Sequence, residues 1–227
     1  NIFYYLIMNF RKVIKHLLTE ITSRLLKILK ISLSTNDIEQ LKTWQNVHKF
    51  REPYPNFVKK NVFDDYNHDN AIWVETGTHV GETTEYLSSI SKFVYSIEPS
   101  KKYFEISKKN LKNIKNIQLF NDTSEGCLKD IIDLINHNEN VCFWLDGHYS
   151  GGDTYQGDKD TPVMDELNII ADFLEKFNKV SILIDDFRMF NPDLYKGYPD
   201  KNSLIEWSEK NGFTWTSTRD ILIFESN

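Results

Sequence analysis

Residues 71–86 read A-I-W-V-E-T-G-T-H-V-G-E-T-T-E-Y. An apolar run closes on Glu75, Gly77 and Gly81 bracket a short turn, and a helix-like pattern begins at Glu82. Such a stretch reads as a strand that feeds a helix through a loop thin enough to lie against a nucleotide.

Working outward, the same rhythm repeats. After the strand at 71–75 and the helix at 82–90 come a strand at 93–98 (F-V-Y-S-I-E) and a Lys-rich helix at 103–111. A strand at 117–121, a helix at 127–135 and a strand at 141–146 (V-C-F-W-L-D) follow. Then come a long amphipathic helix at 162–177, begun by Thr161 and Pro162, and a strand at 180–185 (V-S-I-L-I-D). Apolar strands alternating with helices imply a parallel sheet covered on both faces. The ending breaks the pattern. A helix at 203–210 stops at Asn211-Gly212, and strands at 214–218 and 221–225 are joined by Arg219-Asp220 alone. A turn that tight makes them antiparallel. The fold class expected is therefore α/β: a Rossmann-like seven-stranded sheet, five strands parallel and two forming a C-terminal antiparallel hairpin.

The 227 residues, 40% of them hydrophobic, suffice for one domain with a substantial core. A formal net charge of -6 argues against a nucleic-acid partner, which would need a basic face. Cys127 and Cys142 stand in no metal or redox spacing, and Cys142 falls inside an apolar run, so a buried thiol in a reducing, cytoplasmic compartment is expected. No stretch is apolar enough for long enough to span a bilayer.

Residues 1–35 differ in character from the rest. Ile14, Leu17, Leu18, Ile21, Leu25, Ile28 and Leu29 recur near helical spacing, and Arg11, Lys12, Lys15, Arg24, Lys27 and Lys30 make the segment basic. Three readings stand open for this amphipathic helix: packing on the main domain, pairing with a second subunit, or peripheral contact with an anionic membrane surface. No small-residue cleavage site follows it, against a signal peptide. Residues 36–70, with Trp44, Phe50, Pro53, Tyr54 and Pro55, read as a helix and then an irregular lead-in that covers the site. Residues 71–227 form the main domain.

In a sheet of this kind, ligands sit beyond the carboxyl ends of the strands. The residues placed there are Glu75, Glu98, Asp122, Asp146, and Asp185 with Asp186. Each alone reads equally as a helix cap or loop acid. Together they form a constellation.

Over residues 71–227 this pattern resembles the class I S-adenosylmethionine-dependent methyltransferases, whose sheet ends in such a hairpin. Their acidic residue followed by G-x-G-x-G appears as Glu75-Thr-Gly77-Thr78-His79-Val-Gly81, with His79 replacing a glycine. The resemblance implies that Glu98 binds both ribose hydroxyls, as one carboxylate can accept two hydrogen bonds. It further implies that Asp122 approaches the adenine amino group beside Thr123, and that Glu75 and Gly77 lie near the methionine end. Thr78, His79, Gly81 and Asp146 complete the expected cofactor set. A nicotinamide dinucleotide competes for the same strand-loop-acid arrangement. Against it stand the missing G-x-G-x-x-G spacing, the lack of a Tyr-x-x-x-Lys pair after the fourth strand, and the final hairpin.

A second constellation concerns chemistry. Adjacent parallel strands ending in Asp146-Gly147-His148 and in Asp185-Asp186 crowd three carboxylates, which repel unless a cation neutralises them. Oxygen donors of this kind suit Mg²⁺. The arrangement resembles the metal-dependent O-methyltransferases of macrolide-sugar and catechol type, which implies Asp146, Asp185 and Asp186 as metal ligands. There the ion holds the acceptor hydroxyl and lowers its pKa. His148 is expected to act with Asp146 as the catalytic pair, the imidazole taking the hydroxyl proton. It reads equally as a metal ligand or a plain loop residue. Residues 150–161, rich in glycine and acid, read as a mobile substrate loop in which Asp153, Asp158 and Asp160 supply further metal ligands or grip polar hydroxyls, or as a solvated connector. Arg188 is expected to meet an anionic group on the acceptor. The resulting expectation is an O-methyltransferase acting on a small polar acceptor, such as a sugar or a surface-polysaccharide precursor. A metal-independent enzyme with His148 as base and a non-catalytic scaffold are the alternatives.

Overall fold

The computed structural model describes residues 34–147 and 161–226. Two helices lead, α1 (Thr35–Asn46) and α2 (Asn56–Tyr66). The alternating part follows as β1 (Ile72–Thr76), α3 (Glu82–Ile90), β2 (Phe93–Ile97), α4 (Lys101–Leu111), β3 (Ile117–Phe120), α5 (Ser124–Leu134) and β4 (Asn140–Leu145). After residue 160 come α6 (Val163–Ala171), β5 (Lys179–Ile184), α7 (Lys201–Lys210), β6 (Phe213–Thr218) and β7 (Ile221–Ser226). Short 3₁₀ turns lie at Leu174–Lys176 and Phe187–Met189.

The seven strands form one sheet in the order β3-β2-β1-β4-β5-β7-β6. β1 to β5 pair in parallel, whereas β7 runs antiparallel to both β5 and β6. The order reverses at β1, whose neighbours are β2 and β4, and that reversal opens a crevice at the carboxyl edge. The expected fold class is the observed one. The long helix expected over 162–177 divides into α6 and a 3₁₀ turn, and the irregular lead-in contains a full helix, α2.

Side chains alternate across each strand, and this alternation sorts the core into two layers. Ile72 and Val74 of β1, Phe143 of β4 and Ile182 of β5 join Leu128, Ile131 and Leu167 on one face. Trp73, Trp144 and Leu183 point to the other, where Val62 and Phe63 of α2 and Leu87 of α3 cover them. Phe63 meets Trp144 edge-on at 4.8 Å between ring centroids and Trp73 at 5.7 Å. Cys127 and Cys142 are buried free thiols, and burial pushes both up to about 12. Among the described residues no helix is long and apolar enough to cross a membrane.

Candidate functional site at the carboxyl edge of the sheet

The loop after β1 is fixed by its backbone. The N–H groups of Gly77 and Thr78 both donate to the carbonyl of Ile97 at the end of β2, at 2.9 and 3.1 Å. Gly77 has φ +92, and a Cβ there would stand 2.4 Å from the carbonyl oxygen of Asp146. Gly81 has φ +90, and its Cβ would collide with Leu111 at 2.8 Å. Both glycines are thus required by conformation and by close approach. His79 also adopts positive φ, +48, and its ring packs on Tyr103 at 4.2 Å.

Glu98 sits just past β2 and faces this loop. Its two carboxylate oxygens accept the backbone N–H groups of His79 at 2.7 Å and Ser100 at 2.8 Å. Burial raises the Glu98 pKa, and these two donors and the His79 charge oppose the rise. Each oxygen keeps a second lone pair, so a carboxylate held in this way suits a vicinal diol. The residues therefore fit a nucleoside ribose.

Glu75 has a different station. It is wholly buried beneath the loop, where its Oε2 accepts the hydroxyls of Thr84 at 2.5 Å and Ser96 at 2.6 Å. Among the described residues its Oε1 has no hydrogen-bond partner. Burial pushes its carboxyl up to about 7 against those two hydrogen bonds. It ties β1 to α3 and β2 from below. Thr78 shares that network through its hydroxyl, 2.5 Å from that of Ser96. At the end of β3, Asp122 Oδ1 accepts the Thr123 N–H, and Thr123 caps α5 through the Gly126 N–H.

The acids after β4 and β5 do not assemble as expected. The Asp146 N–H continues the ladder to Thr76, and the Asp185 N–H continues it to Leu145, so the two strand ends are level and adjacent. Asp146 shares the face of Trp144 and Asp185 that of Leu183, which is the face α2 covers. One helical turn before Phe63, Lys59 reaches this edge. Its buried ammonium forms an ion pair and hydrogen bond with Asp185 Oδ2. Asp186 turns elsewhere. With φ +52 it leads into the 3₁₀ turn and pairs with Arg188 at 2.5 Å, and Arg188 also pairs with Asp220.

One expectation is corrected by this geometry. Among the described residues no group of three His, Cys, Asp or Glu side chains could hold a metal ion, so Asp146, Asp185 and Asp186 do not form the expected ligand set. The physical reason is that protein cations already neutralise two of the three. Arg188, expected to meet an anionic acceptor, pairs with Asp186 and Asp220. His148, Asp153, Asp158 and Asp160 lie outside the described residues, as does the helix expected over the N-terminal segment.

Lys59 itself was not among the expected site residues. Burial would lower its pKa, yet the carboxylates of Asp185, Asp146 and Asp186 outweigh burial and hold it above the ordinary lysine value. It borders a cavity of about 280 Å³, together with Asn36, Glu82, Trp144, Asp146 and Asp185. Asn36 at the start of α1 donates to Glu82 at the start of α3 at 3.2 Å, and the Asn56 N–H donates to Gln40 at 2.9 Å. The lead-in helices thus wall the cavity. Val58, Val62, Phe63 and Tyr66 are spaced for one helical face behind Pro55, and that signal identifies α2.

By sequence, no family model matches the chain and no curated protein is found similar to it. By structure, the chain is similar to a methyltransferase candidate from Streptococcus mutans solved in complex with SAH. That comparison has 17% identity, a TM-score of 0.50, and covers 76% of this chain and 98% of that one. It is also similar to an rRNA-methylase candidate from Clostridium thermocellum, with 14% identity, a TM-score of 0.50, and coverage of 74% and 94%. Likeness at this level concerns the fold, which is that of the class I S-adenosylmethionine-dependent methyltransferases.

Proposed function

We propose that this chain is an S-adenosylmethionine-dependent O-methyltransferase acting on a hydroxyl of a small polar acceptor, such as a sugar or a surface-polysaccharide precursor. The observation that carries the reading is the pairing of two sites on one sheet edge. Glu98 and the Gly77–Gly81 loop make a nucleoside cradle at the topological switch point, and a polar cavity opens beside it at Asp146. Glu98 takes the ribose hydroxyls, Asp122 and Thr123 border the adenine, and Thr78, His79 and Asp146 border the methionine end, with Glu75 supporting the loop.

When bound, the cofactor supplies an electrophilic methyl group on a sulfonium. The chain's part is to hold that group, to bring the acceptor oxygen in line with it, and to remove the hydroxyl proton. His148, two residues past Asp146 in the chain, is the base in this reading, and Asp146 lines the cavity. The polar cavity lining favours a hydroxylated acceptor over a flat aromatic one. The acidic balance of the chain disfavours RNA, although one of the similar structures is described as an rRNA methylase candidate. Because Lys59 and Arg188 already neutralise Asp185 and Asp186, no step is assigned to Mg²⁺. The N-terminal segment is proposed as a packing, pairing or membrane-surface element of a cytoplasmic protein.

Calorimetry with S-adenosylhomocysteine tests the reading. Wild-type protein should bind one equivalent. Glu98→Gln, which keeps the shape but removes the charge, should weaken binding by about 10- to 100-fold, the range of one or two charge-assisted hydrogen bonds. A folded wild-type protein that binds no cofactor sinks the proposal.

A further inference from the structure

The cavity at Asp146 contains its own cation. Lys59 is 8% exposed and Asp185 5%, so their ion pair is shielded from solvent. Such shielding makes the pair costly to break, because each charge depends on the other once water is excluded. The Lys59 ammonium also lies 5.9 Å from the Trp144 ring centroid, beside the end of β4. It therefore lines the same cavity as the acids that follow two adjacent strands. A second observation concerns the same carboxylate. Asp185 Oδ1 is buried and, among the described residues, meets no hydrogen-bond donor.

We infer that Lys59 is the resident cation of this cavity, occupying the place between Asp146 and Asp185 that a divalent ion would take and thereby closing the site to metals. The inference builds on the reading of the cavity as the acceptor site and deepens it, making methyl transfer there metal-independent. Two facts converge on it. The tether from α2 is of the right length, since Phe63 anchors the helix on Trp144 one turn away. Oxygen donors at the ends of two adjacent strands are the hard-donor chemistry that Mg²⁺ and Mn²⁺ prefer, so removing the ammonium leaves a vacancy of matching charge. An acceptor oxygen entering the cavity accordingly meets an N–H donor from Lys59, where a metal-dependent enzyme would present a Lewis acid.

The test is Mn²⁺ binding, followed by the loss of the free-ion paramagnetic signal, on wild type, Lys59→Ala, Lys59→Arg, Asp185→Asn and the Lys59→Ala/Asp185→Asn double variant. S-adenosylhomocysteine affinity is measured on each. Wild type and Lys59→Arg should take up no Mn²⁺ that depends on Asp185. Lys59→Ala should gain one equivalent, bound at least tenfold tighter than by wild type, and the added Asp185→Asn should abolish the gain. Wild type that binds one Mn²⁺, with the ion lost in Asp185→Asn alone, overturns the inference. So does a folded Lys59→Ala that gains none. Should Lys59→Ala fail to fold, Lys59→Gln, whose amide can still donate to Asp185, replaces it with the same expectation, and the wild-type arm decides independently. Failure of S-adenosylhomocysteine to bind wild type would instead remove the methyltransferase reading and leave the cation result standing.

Discussion

At residue scale, the tightest constraint lies at Gly77. Its φ of +92 excludes most side chains, and the Asp146 carbonyl occupies the space a Cβ would need. Gly77→Ala is therefore expected to destabilise the fold by roughly 2 kcal/mol or more, combining positive-φ strain with a steric shift of the β4 end. Because that shift moves both the loop and Asp146, cofactor affinity should fall along with the melting temperature. An alanine variant that melts and binds like wild type would show that the loop has room to spare. The glycine was legible in the sequence as part of a nucleotide-type turn. Its collision partner was not, since Asp146 comes 69 positions later and meets it only through the β1–β4 register.

The informative element is α2. Its apolar face of Val62 and Phe63 packs on Trp73 and Trp144, and its polar residue Lys59 is carried to the sheet edge as a result. Phe63→Ala would leave a cavity between two tryptophans, with an expected cost of about 3–5 kcal/mol measured by denaturant unfolding. The cradle at Glu98 belongs to β2 and α4, so cofactor affinity should stay within a few-fold wherever that variant is folded. Equal losses at both sites would mean that α2 supports the whole edge. Two prolines, Pro53 and Pro55, made this region read as irregular, although Pro55 in fact stands immediately before the helix as its N-cap residue. Prolines mark boundaries, and here they marked a beginning.

For the whole molecule, the buried carboxyls set a pH dependence. Glu75 and Glu166 are both pushed up to about 7 from 4.5, each chiefly by burial. A raised carboxyl means that the folded protein binds protons more tightly than the unfolded chain between those two values. Stability is therefore greatest below about 4.5 with respect to these groups, declines as pH rises to about 7, and is flat above it. For one group that difference is worth on the order of 3 kcal/mol. Glu166→Gln, neutral at every pH, should flatten part of the slope seen in urea unfolding between pH 5 and 7. An unchanged slope would place the protonation elsewhere. From β1 onward the alternation of strands and helices, the hairpin and the acids at the carboxyl edge were determined by the sequence itself. Strand burial, helix periodicity and turn chemistry are local, and each leaves its mark within a few residues. The pairing of those acids was decided only by the tertiary structure. Asp185 and Asp186 are neighbours in the chain, yet one meets Lys59, 126 positions away, and the other meets Arg188. Charge compensation depends on what packing brings within a few ångströms, and no local pattern encodes which distant ammonium arrives first.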